Sequence, residues 1–471
     1  MLAASLVVAL ALGLLVGPER QHVSTARSGD RALAERVERA LGGATGGWRS
    51  LAVAEVTPDT VTWAGLGNAG AGRGTGVAPL DTTPYELGSI TKTFTGSLLA
   101  QAIERGEARA EDPLASHLPE LRGTPAGGVT LASLAQHSSG LPPIGATAAG
   151  SGFVASWGNE GPYASTSTAQ LLRDAAAAPV DTQQPPTYSN LGFSLLGTAL
   201  ARAAGAPDYA TLLRDRVTGP LGMADTGLAA TPADIPADAA PGFHVNGLPA
   251  PRWDGEGYLP SGTATFTTLA DLARWAQSQL GDGPGVAAQR PTAEMDGSGI
   301  GWAWVTTDLP AADGRPAREL LWHNGGTGGF RTMLALDRAA GRGVIVLGNT
   351  TQSVDALGVA LLEDRPAPVR TDPILLGVSW FVVGVAALLS LSALAAARRF
   401  RSGVHVVGSL AAAAFGLLLA WHSGPWFAVG AGSGGCCSRR RWQRPCSRRR
   451  PGAPGRCCPR GGPGSPSRGW W

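Results

Sequence analysis

Cysteine is absent from most of this 471-residue chain. All five cysteines lie beyond residue 435. Residues 1–435 therefore contain no disulfide and no thiolate metal site, and a stable core in this region has to come from apolar packing. A chain of this length can bury such a core.

An excess of one charge is also absent. The formal net charge is +3, and arginines crowd the final 40 residues rather than a face of the main body. We therefore predict no nucleic-acid partner. The zinc motif H-E-x-x-H is missing, and the glycine-rich residues 65–76 have neither phosphate-binding nor dinucleotide-binding spacing. These absences predict that the protein uses neither a metal nor an organic cofactor.

Residues 2–17 form an apolar run that stops at Pro18. Its length is typical of the hydrophobic region of a signal peptide and is short for a membrane span, which needs about 20 residues. We therefore predict that residues 1–20 are a signal peptide or a signal anchor, and that the following domain is exported. The alternative is a buried core helix.

A second apolar region begins after a predicted linker at residues 366–373. Residues 374–397 carry no charge, and residues 404–424 form a further apolar stretch, so we predict two transmembrane helices and the lipid bilayer as a partner. Arginines within residues 398–401 favour a cytoplasmic turn. The preceding domain is then expected at the cell membrane on its extracytoplasmic side.

The last stretch, residues 433–471, is rich in arginine, glycine, proline and cysteine and has no periodicity. Such a composition favours disorder, and we predict a disordered tail. We interpret it as sequence without selected structure, such as an out-of-frame translation of a GC-rich gene. The alternative is that its paired cysteines bind a metal or carry palmitoyl groups.

Residues 30–365 have the mixed pattern of a globular domain. Asp30 is a suitable cap for a helix with an apolar stripe, and residues 51–65 predict a β-hairpin. Residues 319–349 predict three adjacent antiparallel strands with short turns, and residues 353–363 predict a closing helix.

Lysine is almost absent as well, because Lys92 is the only lysine in the chain. Ser89 lies three residues before it, and a helix places such a pair on one face. A lysine can lose its proton when partly desolvated, whereas an arginine practically cannot. The pair therefore predicts a nucleophile with its base on a helix that begins at Ser89. A surface lysine at a helix start is the alternative.

A second polar stretch suits the same chemistry. Tyr188 and Asn190 lie on a loop at the predicted entrance to a helix, where side chains can point into a cleft. If Tyr188 is held near the charge of Lys92, we expect a depressed pKa for its hydroxyl and proton exchange with Ser89 or the leaving group. The Asn190 amide can bind a substrate amide. Plain helix capping is the alternative for Ser189 and Asn190.

A third stretch, His323-Asn324-Gly325-Gly326, ends a predicted strand, and glycine there allows an acyl oxygen to approach backbone N–H groups. His137 is a further candidate, within the short helix and turn predicted for residues 131–142. A histidine at a helix C-terminus is more often stabilised by the helix dipole than catalytic. We therefore predict a structural role for His137.

These motifs resemble those of the penicillin-recognising serine hydrolases, in particular the class C β-lactamase-related group of D,D-carboxypeptidases and esterases. The resemblance covers about residues 30–365 and rests on Ser89-Ile90-Thr91-Lys92, Tyr188-Ser189-Asn190 and His323-Asn324-Gly325, in that order. It implies an α+β fold of the β-lactamase and transpeptidase kind, with an antiparallel sheet flanked by helices and a mostly helical subdomain. To this fold class we add the C-terminal transmembrane helices.

The resemblance also implies a role for each residue. Ser89 would be the acylated nucleophile, and Lys92 with Tyr188 the proton-transfer pair. The N–H groups of Ser89 and Gly326 would form the oxyanion hole, and Asn190 would hold the acyl side chain. The substrate-binding residues that it implies are Asn190, His323, Gly325 and Gly326.

His323 departs from the lysine that the best-known members have at the third motif. Histidine is positively charged only part of the time near neutral pH, which weakens the grip on a substrate carboxylate. We therefore expect a membrane-anchored, outward-facing serine hydrolase of small peptide, amide or ester substrates, D,D-carboxypeptidase- or esterase-like, with weak turnover of β-lactams. The alternative is an acylatable penicillin-binding or sensor module without turnover. The oligomeric state stays open.

Overall fold

The computed structural model describes Glu19 and residues 21–367, except 73–75, 159, 165 and 312–315, together with scattered positions between 377 and 415. Apart from Glu19, the predicted signal segment at residues 1–20 lies outside the described residues. The predicted tail at residues 433–471 lies outside them entirely. Both therefore stay predictions.

Alternation of apolar residues builds the main sheet. In the strand Ser50–Val56, Leu51 and Val53 join one core, whereas Ala52 and Ala54 join the other. Successive side chains of a strand point to opposite faces, so this strand is buried on both sides. A sheet with two apolar faces needs helices on each of them.

The strands form two antiparallel sheets. They are β1 (Arg27–Gly29), β2 (Ser50–Val56), β3 (Val61–Gly67), β4 (Tyr85–Glu86), β5 (Gly227–Leu228), β6 (Thr265–Thr267), β7 (Ala293–Met295), β8 (Ser298–Ile300), β9 (Val305–Leu309), β10 (Arg318–Gly326), β11 (Arg331–Asp337) and β12 (Arg342–Gly348). In the described residues, the larger sheet has the order β1-β3-β2-β12-β11-β10-β9-β8-β7. The smaller sheet has the order β4-β6-β5.

Helices cover both faces of the larger sheet. They are α1 (Arg31–Leu41), α2 (Thr91–Glu104), α3 (Leu131–Ala135), α4 (Ala146–Gly158), α5 (Thr168–Ala177), α6 (Asn190–Ala203), α7 (Tyr209–Leu213), α8 (Leu269–Leu280) and α9 (Asp355–Glu363). Val37 of α1 and Leu361 of α9 belong to the core on one face. Phe94 of α2 and Trp275 of α8 pack edge to face in the core on the other, where α3 to α7 form a mostly helical region. The architecture is α+β.

Several local predictions are confirmed. Asp30 caps α1, because its Oδ1 accepts from the backbone N–H of Leu33 at 2.7 Å. The predicted hairpin is the pair β2 and β3, and the three predicted strands are β10, β11 and β12. The short strands β7 to β9 extend this sheet and were missed. The helix expected to begin at Ser89 begins at Thr91, after a 3-10 turn over Gly88–Ile90.

The prediction of two C-terminal transmembrane helices, at residues 374–397 and 404–424, was wrong. Among the residues that the structure describes, no helix combines the length and the apolar character needed to cross a bilayer. The longest described helices have 14 residues, or about 21 Å, against a hydrocarbon core about 30 Å thick. The prediction used only the length of each run and its lack of charge, which do not establish a continuous helix. Most of both ranges lies outside the described residues.

Candidate active site

The turn that carries Ser89 is held against strand β10. Gly88 has a φ of +65°, and a Cβ at this position would lie 2.6 Å from the backbone nitrogen of Gly326. Both the left-handed backbone and the close approach therefore require glycine. The turn brings Ser89 to the start of α2, with its side chain buried.

Lys92 lies one turn further on and is completely buried. Its Nζ lies 3.0 Å from Ser89 Oγ, 2.7 Å from Asn190 Oδ1 and 2.6 Å from the carbonyl oxygen of Ser261. The last two are acceptors, so they use two N–H bonds of the amine. The third tetrahedral direction of Nζ then faces the Ser89 hydroxyl.

Burial sets the charge of this amine. The protein interior disfavours the ammonium form, so the pKa of Lys92 lies well below its ordinary value of 10.5. A neutral amine that donates to Asn190 and Ser261 directs its lone pair toward Ser89. In this state Lys92 can accept the proton of the Ser89 hydroxyl.

Tyr188 lies beside the same pair. Its ring centroid is 4.7 Å from Lys92 Nζ, and its hydroxyl is hydrogen-bonded to Ser89. The expected depressed pKa of Tyr188 was wrong. Burial raises the pKa of Tyr188 above its ordinary value, against the opposing effect of the Ser89 hydrogen bond, so the phenol keeps its proton at neutral pH.

Asn190 is the first residue of α6, directly after the capping Ser189, whose Oγ accepts from the N–H of Gly192 at 2.9 Å. The capping alternative therefore holds for Ser189. The Asn190 side chain instead accepts from Lys92 and donates through Nδ2 to the Tyr163 hydroxyl at 3.3 Å. Asn190 thus orients the amine of Lys92, and its role in holding an acyl side chain stays a prediction.

The third motif lies on β10 beside the Ser89 turn. A Cβ on Gly325 would lie 2.2 Å from the carbonyl oxygen of Leu87 and 3.1 Å from the backbone nitrogen of Ser89. The N–H groups of Ser89 and Gly326 are thus brought into the same small region. This proximity suits the predicted oxyanion hole.

His323 is buried on the same strand, with Nδ1 2.6 Å from the carbonyl oxygen of Asn324. Burial is the main cause that lowers the pKa of His323 to about 3. The ring is therefore neutral near pH 7, with Nδ1–H donating to Asn324. Its Nε2 is then an acceptor and supplies no positive charge to a substrate carboxylate.

Two contact residues were missed from the sequence. Ser261 acts through its backbone carbonyl, which any residue type would provide, so its identity gave no signal. It ends a 3-10 segment, Glu256–Ser261, inside the proline- and glycine-rich connection before α8. Tyr163, whose hydroxyl accepts from Asn190, lies in a stretch of sequence without a recognisable motif. Neither contact was predictable without the fold.

A family model described as Beta-lactamase matches residues 30–364. The chain therefore belongs to this family and is a β-lactamase-related serine hydrolase. The predicted resemblance is confirmed, and so is the α+β fold of the β-lactamase and transpeptidase kind.

Two curated relatives show the breadth of the similarity. "Putative beta-lactamase-like 1" of Homo sapiens is 36% identical over 238 residues, which are 48% of this chain and 45% of that protein. "D-alanyl-D-alanine-carboxypeptidase/endopeptidase AmpH" of Escherichia coli K12 is 29% identical over 287 residues, 56% of this chain and 70% of that protein. The chain thus spans less than half of the human relative's length.

Solved structures share the fold. A D-alanine carboxypeptidase AmpC from Burkholderia cenocepacia aligns with a TM-score of 0.54 at 25% identity, covering 68% of this chain and 94% of that one. A class C β-lactamase from Rhodobacter sphaeroides aligns with a TM-score of 0.55 at 23% identity over the same shares. The second likeness concerns the fold alone.

Proposed function

We propose that this protein cleaves amide, peptide or ester bonds through an acyl-enzyme on Ser89. The observation that carries the proposal is the buried amine of Lys92, 3.0 Å from Ser89 Oγ and fixed by Asn190 and Ser261. A lysine desolvated in this way is an effective base for a serine hydroxyl.

In the acylation step, Ser89 Oγ bonds to the substrate carbonyl carbon as its proton passes to the neutral Nζ of Lys92. The carbonyl oxygen becomes an oxyanion that the N–H groups of Ser89 and Gly326 stabilise. The intermediate then collapses, and the bond between the acyl carbon and the leaving nitrogen or oxygen breaks.

Tyr188 supplies the proton for the leaving group. Its raised pKa keeps it protonated, and its hydroxyl already contacts Ser89, next to the bond that breaks. The proton held on Lys92 then restores the phenol. In the second half of the reaction, water bonds to the acyl carbon, its proton passes to Lys92, and the C–Oγ bond breaks as Ser89 regains its proton.

The substrate class follows from the neutral ring of His323. An ester, or an amide whose neighbouring group is uncharged, needs no positive charge at this position for binding. A free carboxylate lacks a cationic partner there. We therefore propose esterase-like activity with weak turnover of β-lactams. The alternative, D,D-carboxypeptidase-like activity, acts on peptides that end in a free carboxylate, and it is favoured by the family and not by His323. The name of the AmpH relative supports peptide substrates.

Acylation by a fluorescent penicillin and hydrolysis of p-nitrophenyl acetate test the proposal, with the intact mass of the protein as readout. We expect one adduct per chain and turnover of the ester, both lost in Ser89→Ala and strongly reduced in Lys92→Arg. Unchanged turnover in both variants would refute the mechanism. A stable adduct without product release would support the acylatable sensor alternative instead.

An extracytoplasmic location of the hydrolase domain remains a prediction. It rests on the apolar residues 2–17, which lie outside the described residues.

A further inference from the structure

Two segments meet behind Tyr188. The His137 segment consists of residues 137–143, and the Tyr188 loop consists of residues 187–190. The backbone carbonyl of His137 accepts from the N–H of Thr187 at 2.8 Å, and its ring Nδ1 accepts from the N–H of Ser189 at 3.1 Å. One residue thus holds the backbone on both sides of Tyr188.

The rest of the His137 segment strengthens this contact. Pro142 O accepts from Ser189 Oγ at 2.7 Å, and Pro143 O accepts from the N–H of Asn190 at 2.8 Å. The His137 ring also lies against the Tyr188 ring, with 4.3 Å between centroids and 34° between planes. The loop that carries Tyr188 and Asn190 is therefore shaped by the His137 segment.

The backbone of His137 is unusual for its residue type. Its φ is +60°, in the left-handed region that residues other than glycine rarely adopt. Such conformations persist only where the surroundings enforce them, and they often accompany functional sites. At His137 this conformation serves to present the carbonyl and the ring to the same loop.

The hydrogen bonds also fix the ring's protonation. Because Nδ1 accepts from Ser189, the proton of a neutral ring lies on Nε2, which is buried and has no hydrogen-bond partner in the described part of the chain. Burial is the main cause that keeps the pKa of His137 well below its ordinary value. A protonated ring would lose the Ser189 contact.

We propose that His137 is a positioning residue that sets the place of the Tyr188 hydroxyl between Ser89 and the leaving group, by accepting from Ser189 through Nδ1. This goes beyond the helix-dipole role predicted from sequence, and it rests on the proposed function. The hydrogen bonds of His137 described above go to the backbone of Thr187 and Ser189. His137 acts through the backbone of the Tyr188 loop.

The test compares His137→Asn with His137→Gly. Both residues adopt a left-handed backbone readily, and both remove the ring that lies against Tyr188. Only asparagine keeps an acceptor, its Oδ1, at the position of Nδ1. Leu131→Val is the matched control, because Leu131 is a buried residue of α3 without a role in the site. Thermal denaturation and circular dichroism establish that each variant is folded.

Stopped-flow acylation by p-nitrophenyl acetate separates binding from chemistry. For His137→Gly we expect a maximal acylation rate about 100-fold below wild type, with an unchanged dissociation constant for the non-covalent complex. His137→Asn should stay within about 10-fold of wild type, and Leu131→Val should match it. A glycine variant that acylates as fast as Leu131→Val overturns the inference, as does an equal loss in the glycine and asparagine variants.

Nitrogen-15 NMR of the histidine rings provides a second measurement on the wild-type protein, independent of variant folding. We expect Nδ1 of His137 to be unprotonated and Nε2 protonated at neutral pH, and a protonated Nδ1 would overturn the inference. Failure of the proposed function would give a different experimental result. In that case wild-type protein forms no adduct at Ser89, whereas failure of the inference alone leaves wild-type acylation intact.

Discussion

The hydroxyl of Thr332 donates to the carbonyl oxygen of Leu87 at 2.6 Å. This bond joins β11, near the centre of the larger sheet, to the residue two positions before Ser89. Both groups are buried, so neither can exchange the bond for water without moving. Ser89 therefore takes its position from the sheet as well as from α2.

Replacing Thr332 tests this connection. Thr332→Val keeps the shape but removes the hydroxyl that donates to the Leu87 carbonyl, which costs about 1 kcal/mol of stability and lets the turn shift. We expect acylation of Ser89 to fall about 10-fold or more, because small displacements of reacting groups are costly. Thr332→Ser keeps the hydroxyl and is the control. Equal acylation rates in the valine and serine variants would contradict the connection.

Glu86 gives a prediction about pH. Its side chain is buried, Oε1 accepts from the N–H of Trp253 at 3.1 Å, and burial raises the pKa of Glu86 from 4.5 to about 7. Between these values the folded state binds more protons than the unfolded state, so stability falls as the pH rises from about 4.5 to about 7. Glu86→Gln has no carboxyl group to ionise, so its stability does not fall in this way. We expect it to raise the free energy of unfolding by up to about 3 kcal/mol near pH 8 and by little near pH 4.

Urea denaturation of wild type and Glu86→Gln at both pH values measures that difference. Glu104→Gln is the matched control, because Glu104 is exposed at the end of α2. A Glu86→Gln effect that is the same at both pH values would show that the burial of the charged form does not determine the stability of this region.

His323 gives a prediction about specificity. A lysine at this position restores the longer cationic side chain that the neutral ring does not provide. For His323→Lys we expect the ratio of acylation rates, benzylpenicillin over p-nitrophenyl acetate, to rise about tenfold, because the penicillin carries a carboxylate and the ester does not. His323→Gln, which stays neutral, should leave the ratio near that of wild type. Equal ratios in the lysine and glutamine variants would mean that His323 does not face the carboxylate.

Local chemistry accounts for what the sequence predicted well. The cap at Asp30, the hairpin of β2 and β3 and the spacing of Ser89 and Lys92 depend on neighbours within a few residues, so the sequence pattern is sufficient. The three motifs were also recognisable as a set, and the family match bears out that resemblance.

Features that depend on burial or on distant chain were not predictable. The direction of the Tyr188 pKa shift was predicted wrongly, because the burial of the hydroxyl outweighs its hydrogen bond. Ser261 contributes a carbonyl, which no residue type reveals. The role proposed for His137 depends on a contact between residues 52 positions apart. The transmembrane prediction failed because composition was used without a helix to support it.

The protonation state of Lys92 is the most direct test of the mechanism. Lys92 is the only lysine in the chain, so protein labelled with carbon-13 and nitrogen-15 in lysine gives a single side-chain signal, which is followed by NMR as the pH is changed. Burial predicts a titration midpoint well below 10.5. A midpoint at or above 10.5 would mean that Lys92 remains an ammonium and cannot accept the proton of Ser89.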